Sequence, residues 1–508
     1  MHLKSLYPPV PSVPDKNVHE LIFRSRTATM PDYVAHIDVI SGEMRTRQEV
    51  EERVRDAATA LGAPVSEGGL GLSSENGDVV GICSCNSLDY VTLLQACLVI
   101  TTPFSLISSY STHFELVHAL RLSNVTRVFV QSSSLSRMLS AAKEVGLSED
   151  SVYILEDRNY NGRKRLEDII ANVRQKSIRR WNNWSAKSGH DIAWQYLVHE
   201  KPPVVLAVLP FHHTFGLQMF CIRCVIDYNT LVVVPKWDPR VVLAAIPKYK
   251  INVISLVPSF LHQMVSLGLL EKADFSSVWT VTSGAAYLPS EVEEKFISLV
   301  HHIPRVAQGY GLSECVSAAV HRCILGGCQP LRGSAGILLP GMESRIVRPD
   351  GSEADFDEPG ELWLKGENIA LGYYQNDKAT RETFVDGWLR TGDTFKVDEK
   401  QNYFFVDRAK DTLKISGVQV SPTEIEEVLH MHPDKLLADV CVAGVSGGRT
   451  SDEKIPRAWL VLSEEGKKRG VARTMGELNT WTHQNLSKYK WLRGGMEIVD
   501  QVRIGLKY

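Results

Sequence analysis

The 508-residue sequence has no long hydrophobic run. No stretch approaches the roughly 18 apolar residues that a membrane-spanning helix requires. The opening MHLKSLYPPVPSVP is proline-rich and lacks the apolar segment of a secretory signal, so no membrane span is expected. Neither sign of charge is in large excess. The formal net charge is −3, and no basic stripe points to a nucleic-acid partner. The nine cysteines are irregularly spaced, form no disulfide framework, and fit a reducing compartment. Cys221 and Cys224 read as CxxC, but they lie in the apolar run MFCIRCVI with no second pair at zinc spacing. Helix or core packing is the expectation there. Internal repeats and low-complexity tracts are missing. The last residues, Gly-Leu-Lys-Tyr, are not the Ser-Lys-Leu peroxisomal address, which makes the cytoplasm the expected location. The rest of the composition is ordinary: 44% hydrophobic and 23% charged residues give a sizeable core. The length predicts more than one domain.

Hydrophobic periodicity predicts strands alternating with helices. Helical spacing covers 44–62, 88–99 and 137–146, and buried strands are expected at 78–83, Val125–Gln131 and Val152–Leu155. The alternation resumes with strands at Val204–Leu209, Thr230–Val234, Val253–Val257 and Val278–Thr282, separated by helices at 239–249, 258–269 and 289–300. This is the signature of βαβ units and a parallel sheet. From about 333 to 406 short strands and Gly, Pro and Asp turns predict a small β-rich subdomain. A last segment carries a helix at Pro422–His430, a strand at Ala438–Val445 and a helix at Met475–Leu486. The polar, basic stretch 160–190, with a helix at about 165–176, reads as a solvated face or a connection.

Gln308-Gly-Tyr-Gly-Leu-Ser-Glu314 is the most specific run. Glycines let a backbone pass close to a ligand. Tyr310 can stack on a flat base, Ser313 can hydrogen-bond a phosphate, and Glu314 can hold Mg²⁺ through oxygen. Alone, the run reads equally well as a glycine-rich turn entering a helix. It is accompanied by Ser283-Gly-Ala-Ala286, Leu209-Pro-Phe-His-His-Thr-Phe-Gly216, Gly360-Glu-Leu-Trp-Leu and Gly372-Tyr-Tyr. Gly387-Trp-Leu-Arg-Thr-Gly-Asp393 follows, then the stretch from Val406-Asp-Arg-Ala-Lys410 to Ser-Pro422.

In this order and spacing, from about residue 20 to 500, these motifs resemble the adenylate-forming superfamily, and its 4-coumarate–CoA ligase-like acyl-CoA synthetases most. The resemblance implies a large N-terminal domain (1–406) of parallel α/β subdomains plus the β-rich part. A hinge at 407–410 and a small mobile α+β C-terminal domain (411–508) would follow. It implies two half-reactions: a carboxylic acid and ATP give an acyl-adenylate and pyrophosphate, then a thiol, usually coenzyme A, takes the acyl group and releases AMP. Side chains then act by positioning and by neutralising phosphate charge. Tyr310, with Gln308, Gly309, Gly311 and Ser283-Gly284-Ala285, resembles the adenine site. Ser313 matches the phosphate hydroxyl and Glu314 the Mg²⁺ ligand. Asp393 matches the ribose carboxylate and Arg408 a second ribose contact, although an isolated aspartate there would cap a turn. His213 and Phe215 match the aromatic wall beside the substrate carboxylate, where a lone histidine would more often be a core residue. Ala286 lines the acyl pocket, and its small side chain leaves room for a bulky acid. Lys236 matches a coenzyme A contact, or reads as an exposed strand end, and Gly417 matches the glycine beside the pantetheine tunnel. Lys410 belongs to the hinge, and Lys414 and Gln419 to the mobile domain. An acyl-carrier thiol is an alternative acceptor, and a nucleotide-binding pseudoenzyme is the rival from another class. Relatives with a peroxisomal tripeptide keep the peroxisome as the alternative location.

Two motifs depart from the pattern. The glycine-rich phosphate loop ending in Pro-Lys-Gly is expected before Ser188, yet no glycine occurs between Gly162 and Gly189. Such a loop cradles the pyrophosphate end of ATP with backbone N–H groups. The C-terminal Pro-x-x-x-x-Gly-Lys segment is missing as well: Gly494-Gly-Met-Glu-Ile-Val-Asp500 matches the preceding strand, and Lys507 is out of register. Impaired adenylation is therefore expected, since losing one such donor typically costs about 100- to 1000-fold in rate.

Overall fold

The computed structural model describes residues 1–8, 19, 32–156, 162–176, 202–286, 288, 290–320, 331–408, 413–415, 418–447 and 454–500. They gather into two compact units. One comprises Val13–Ile254 with Asp274–Trp279; the other comprises Met1–Ser12, Ser255–Ala273 and Thr280–Tyr508.

The first unit contains the predicted βαβ pattern. Strands Phe104–Leu106, Val80–Cys83, Arg127–Val130 and Val152–Ile154 lie side by side in that order, all parallel. Parallel neighbours need a crossover, and the helices Leu88–Val99, His113–Ser123 and Leu135–Glu144 supply it. Side-chain caps start two of them: Ser87 accepts from the Tyr90 amide, and Thr112 with Glu115 forms a capping box. Val128, Val130, Met138, Ala141 and Ile154 form the core between sheet and helices. A second sheet places Val204–Ala207 beside Thr230–Val233, which runs parallel to Val34–Asp38. Val253 and Ile254 pair with Val205 and Leu206 on the other side. The near-continuous apolar strands fit a sheet buried on both faces.

In the second unit Thr280–Ser283 runs parallel to Ala307–Tyr310, with Ser283 opposite Gln308. Ala319–Val320 and Ile337–Leu338 extend this antiparallel. The β-rich part is an antiparallel sheet of His2–Lys4, Glu343–Val347, Gly360–Lys365, Trp388–Val397 and Phe384–Val385, with Tyr403–Arg408 also on Trp388–Val397. Its core joins Leu312, Ile346, Leu364, Phe395 and Tyr403 to Tyr310. The last segment holds the hairpin Leu413–Ile415/Val418–Val420, helix Pro422–His430, the antiparallel pair Leu437–Ser446/Lys454–Leu462 and helix Val471–Asn485.

Several boundaries differ from expectation. The helix predicted over 258–269 ends at Ser266, because Gly268 turns left-handed at φ 61°. The helix predicted over Met475–Leu486 begins at Val471, directly after a short helix, Glu464–Arg469, that periodicity did not reveal. Gly470 at φ 87° separates the two. The strand predicted over Val278–Thr282 is Thr280–Ser283.

Candidate functional site

The C-terminal ends of the parallel strands Thr280–Ser283 and Ala307–Tyr310 open onto a concavity in the second unit. Carboxyl ends of parallel strands are where α/β sheets bind ligands. Ala285, Ala286, Gln308, Gly309, Tyr310 and Gly311 line one side; Gly333, Ala335, Phe395 and Phe405 line the rest. Ser283 Oγ is buried with no hydrogen-bond partner among the described residues. Ala285 adopts φ 66°, a left-handed conformation uncommon outside glycine, as site residues often do. Gly311 is required for a reason the sequence did not give. A Cβ there would lie 2.2 Å from the Val316 carbonyl oxygen, so the turn itself, and not a ligand, demands glycine.

Tyr310, which lines this concavity, holds Asp393 behind it. The phenol donates to Asp393 Oδ2 at 2.7 Å, and Asp393 is only 1% exposed. Burial, with the neighbouring carboxylate, pushes the Tyr310 hydroxyl well above its usual range and keeps it a donor. Phe395 packs its ring against Tyr310 edge-on at 4.6 Å. The Asp393 amide donates to Thr391 Oγ1 (3.1 Å), whose hydroxyl donates to the Leu362 carbonyl (2.7 Å). The backbone of Asp393 pairs with that of Arg408.

Glu314 lies on the loop that follows Tyr310. Its Oε1 accepts from the Tyr373 hydroxyl at 2.6 Å, and its carbonyl accepts from the Ala370 amide at 2.8 Å. Burial and Glu314 together push the Tyr373 phenol up to about 12. Asn368 Nδ2 donates to the carbonyls of Cys315 (2.8 Å) and Ser317 (3.1 Å), so residues 368–373 and 314–317 are laced together. Ser313 is exposed. Among the described residues no three His, Cys, Asp or Glu side chains cluster as a protein-only metal cage. A single carboxylate such as Glu314 fits Mg²⁺ shared with phosphates, because Mg²⁺ commonly takes one or two carboxylates and keeps several waters.

His213, Phe215 and Lys236 belong to the first unit. His213 caps a short helix, its Nδ1 accepting from the Phe215 amide at 3.3 Å. Burial pushes its neighbour His212 down to about 4, so that imidazole is neutral. Gly216 is obligatory, since a Cβ would sit 2.2 Å from the Pro210 carbonyl oxygen. The helix continues through a π-helical stretch, Leu217–Arg223, that periodicity did not foretell. Cys221 within it and Cys224 directly after it are buried free thiols, the packing role expected of them. Lys236 is exposed, with its ammonium 5.9 Å from the Tyr110 ring centre. Asn86 holds both segments in place: Nδ2 donates to the carbonyls of Leu209 (2.9 Å) and Val234 (3.3 Å), and Oδ1 accepts from the Phe211 amide (2.9 Å).

Lys410, Gly417, the segment before Ser188 and Lys507 lie outside the described residues. Arg408, Lys414 and Gln419 are placed by their strands, and the backbones of Lys414 and Gln419 pair across a hairpin. Sequence reasoning did not single out Asn86 or assign Tyr373 a task. Each acts on residues far away in the chain, and only Tyr373 had a sequence signal, its place in the Gly372-Tyr-Tyr motif.

Comparison with known proteins defines the class. The AMP-binding enzyme family matches residues 23–180 and 181–374. This chain belongs to that family and is an AMP-binding enzyme. It is 29% identical over 543 residues to a probable 4-coumarate–CoA ligase 1 of Dictyostelium discoideum, covering 99% of this chain and 95% of that protein. It is also 29% identical to acyl-CoA ligase AKT1 of Alternaria alternata, with 97% and 93% covered. Its fold matches that of o-succinylbenzoate CoA synthetase from Bacillus subtilis with a TM-score of 0.72 at 20% identity, covering 96% of this chain and 95% of that one. Among the described residues no helix is long and apolar enough to cross a membrane.

Proposed function

We propose that this enzyme joins a small-molecule carboxylic acid to coenzyme A through an acyl-adenylate, using ATP and Mg²⁺. The observation that carries the reading is the concavity at the strand ends, with Asp393 buried beside it and held by Tyr310. A buried carboxylate next to small and aromatic lining suits a nucleoside, whose ribose hydroxyls donate hydrogen bonds and whose base is flat. Similarity along nearly the whole chain to proteins named as CoA ligases supports the same reading.

Ser283–Ala285 and Gln308–Gly311 take the adenine side and Asp393 the ribose, with Arg408 as a second ribose contact and Lys410 at the hinge. Ser313 takes a phosphate oxygen. Glu314 holds Mg²⁺, which supplies neutralisation of phosphate charge. On the family pattern His213, Phe215 and Ala286 are assigned to the acid, Lys236 and Gly417 to coenzyme A, and Lys414 and Gln419 to the mobile domain. The domain division is 1–406, a hinge at 407–410, and 411–508. The cytoplasm is the proposed location. The absence of glycine between Gly162 and Gly189 favours one rival, a nucleotide-binding pseudoenzyme.

The test is incubation with ATP, Mg²⁺, coenzyme A and single acids from an aromatic and medium-chain panel, with mass spectrometry of the products. Matching amounts of acyl-CoA and AMP are expected. AMP binding without thioester from any acid would favour the pseudoenzyme, and thioester only on an added carrier protein would shift the acceptor to a carrier thiol.

A further inference from the structure

Glu314 is not held by its own loop alone. Tyr373 reaches it from 59 residues further along the chain, with the hydroxyl 2.6 Å from Oε1. The tyrosine is fixed in turn. Its amide donates to Thr380 Oγ1 at 2.9 Å, and its ring packs edge-on against Phe384 at 5.6 Å. The preceding Gly372 lies so close to the helix Asp377–Thr383 that a Cβ would sit 2.6 Å from Thr380 Cγ2. A phenol anchored in this way sets the orientation of the carboxylate it touches. With Oε1 occupied by a donor, Oε2 accepts no hydrogen bond among the described residues. A carboxylate with one oxygen tied and the other open is suited to bind a cation through a single oxygen.

We propose that Tyr373 is a positioning residue for divalent-cation binding: its hydrogen bond orients Glu314, which would hold the ion through its other oxygen. The proposal rests on the reading of Glu314 as the cation ligand. Partners that orient a metal-binding carboxylate typically contribute about 10- to 100-fold to metal affinity.

The test uses the full-length protein with Mn²⁺ as the probe in the presence of ATP, counting free ion by electron paramagnetic resonance. AMP affinity without metal is measured alongside by calorimetry. Tyr373→Phe is expected to weaken Mn²⁺ binding about 10-fold while AMP affinity stays within about twofold. Wild-type Mn²⁺ affinity in Tyr373→Phe overturns the proposal. So does an equal loss of Mn²⁺ and AMP, which would mark a packing role. Glu314→Gln separates the two levels. If it binds Mn²⁺ as the wild type does, the ligand reading of Glu314 fails and the proposal with it. If it loses Mn²⁺ while Tyr373→Phe does not, only the role of Tyr373 fails.

Discussion

Replacing Glu156 by glutamine is predicted to make the first unit less sensitive to alkaline pH. Glu156 accepts hydrogen bonds from Ser84 Oγ (2.9 Å) and Ser87 Oγ. Those serines flank Asn86, which fixes the Leu209 and Val234 segments. Burial is the main cause that raises the carboxyl from an ordinary 4.5 to about 7; the serine hydroxyls oppose it, and Asp89 and Asp38 add to it. The sign follows from linkage. Between about 4.5 and 7 the folded state keeps a proton that the unfolded chain releases, so the folded state loses stability as pH rises through that window. At about 1.4 kcal/mol per pH unit the loss is roughly 3 kcal/mol by pH 8, most of it absent at pH 5. Glutamine has the same shape, still accepts from serine hydroxyls, and does not titrate. Thermal melts of wild type and Glu156→Gln at pH 5 and pH 8 test this. For a unit of this size about 1 kcal/mol corresponds to 2–4 °C, so the wild type should fall roughly 5–10 °C further than the variant between the two pH values. Melting temperatures that shift in parallel would refute the burial argument for Glu156.

The other predictions concern the site and its supports. Asp393→Ala removes the buried acceptor for a ribose and should abolish AMP binding, a loss of about 100-fold or more by calorimetry; unchanged affinity would remove Asp393 from the site. Asn86→Ala leaves the Phe211 amide and the carbonyls of Leu209 and Val234 without their partner. It should cost about 2–5 kcal/mol, read as a lowered denaturation midpoint. Gly311→Ala places a methyl against the Val316 carbonyl, and should cost about 1–3 kcal/mol and weaken AMP binding.

The parallel architecture was legible because its strands are short apolar runs and its helices amphipathic or capped. Val80–Cys83, Leu88–Val99 and Val204–Ala207 fall within or on their predicted spans. Boundaries failed where a single glycine conformation decided them, as at Gly268 and Gly470. The backbone runs of the site were legible too, since Gln308–Glu314 and Thr391–Asp393 are contiguous in sequence. Their side-chain pairings were not. Tyr310 to Asp393 spans 83 residues and Glu314 to Tyr373 spans 59, and no local pattern encodes a contact across such separations. The π-helical turn at Leu217–Arg223 was hidden for another reason: an apolar run buried on most sides carries no period to read.

Acid-dependent exchange of pyrophosphate with ATP in the presence of Mg²⁺, across aromatic and medium-chain acids, is the decisive measurement, because it reads acyl-adenylate formation before any thiol enters. Exchange is expected with at least one acid, and is expected to be lost in Asp393→Ala. Silence across the panel, from protein that still binds AMP, would contradict that expectation and leave a nucleotide-binding protein without adenylating activity.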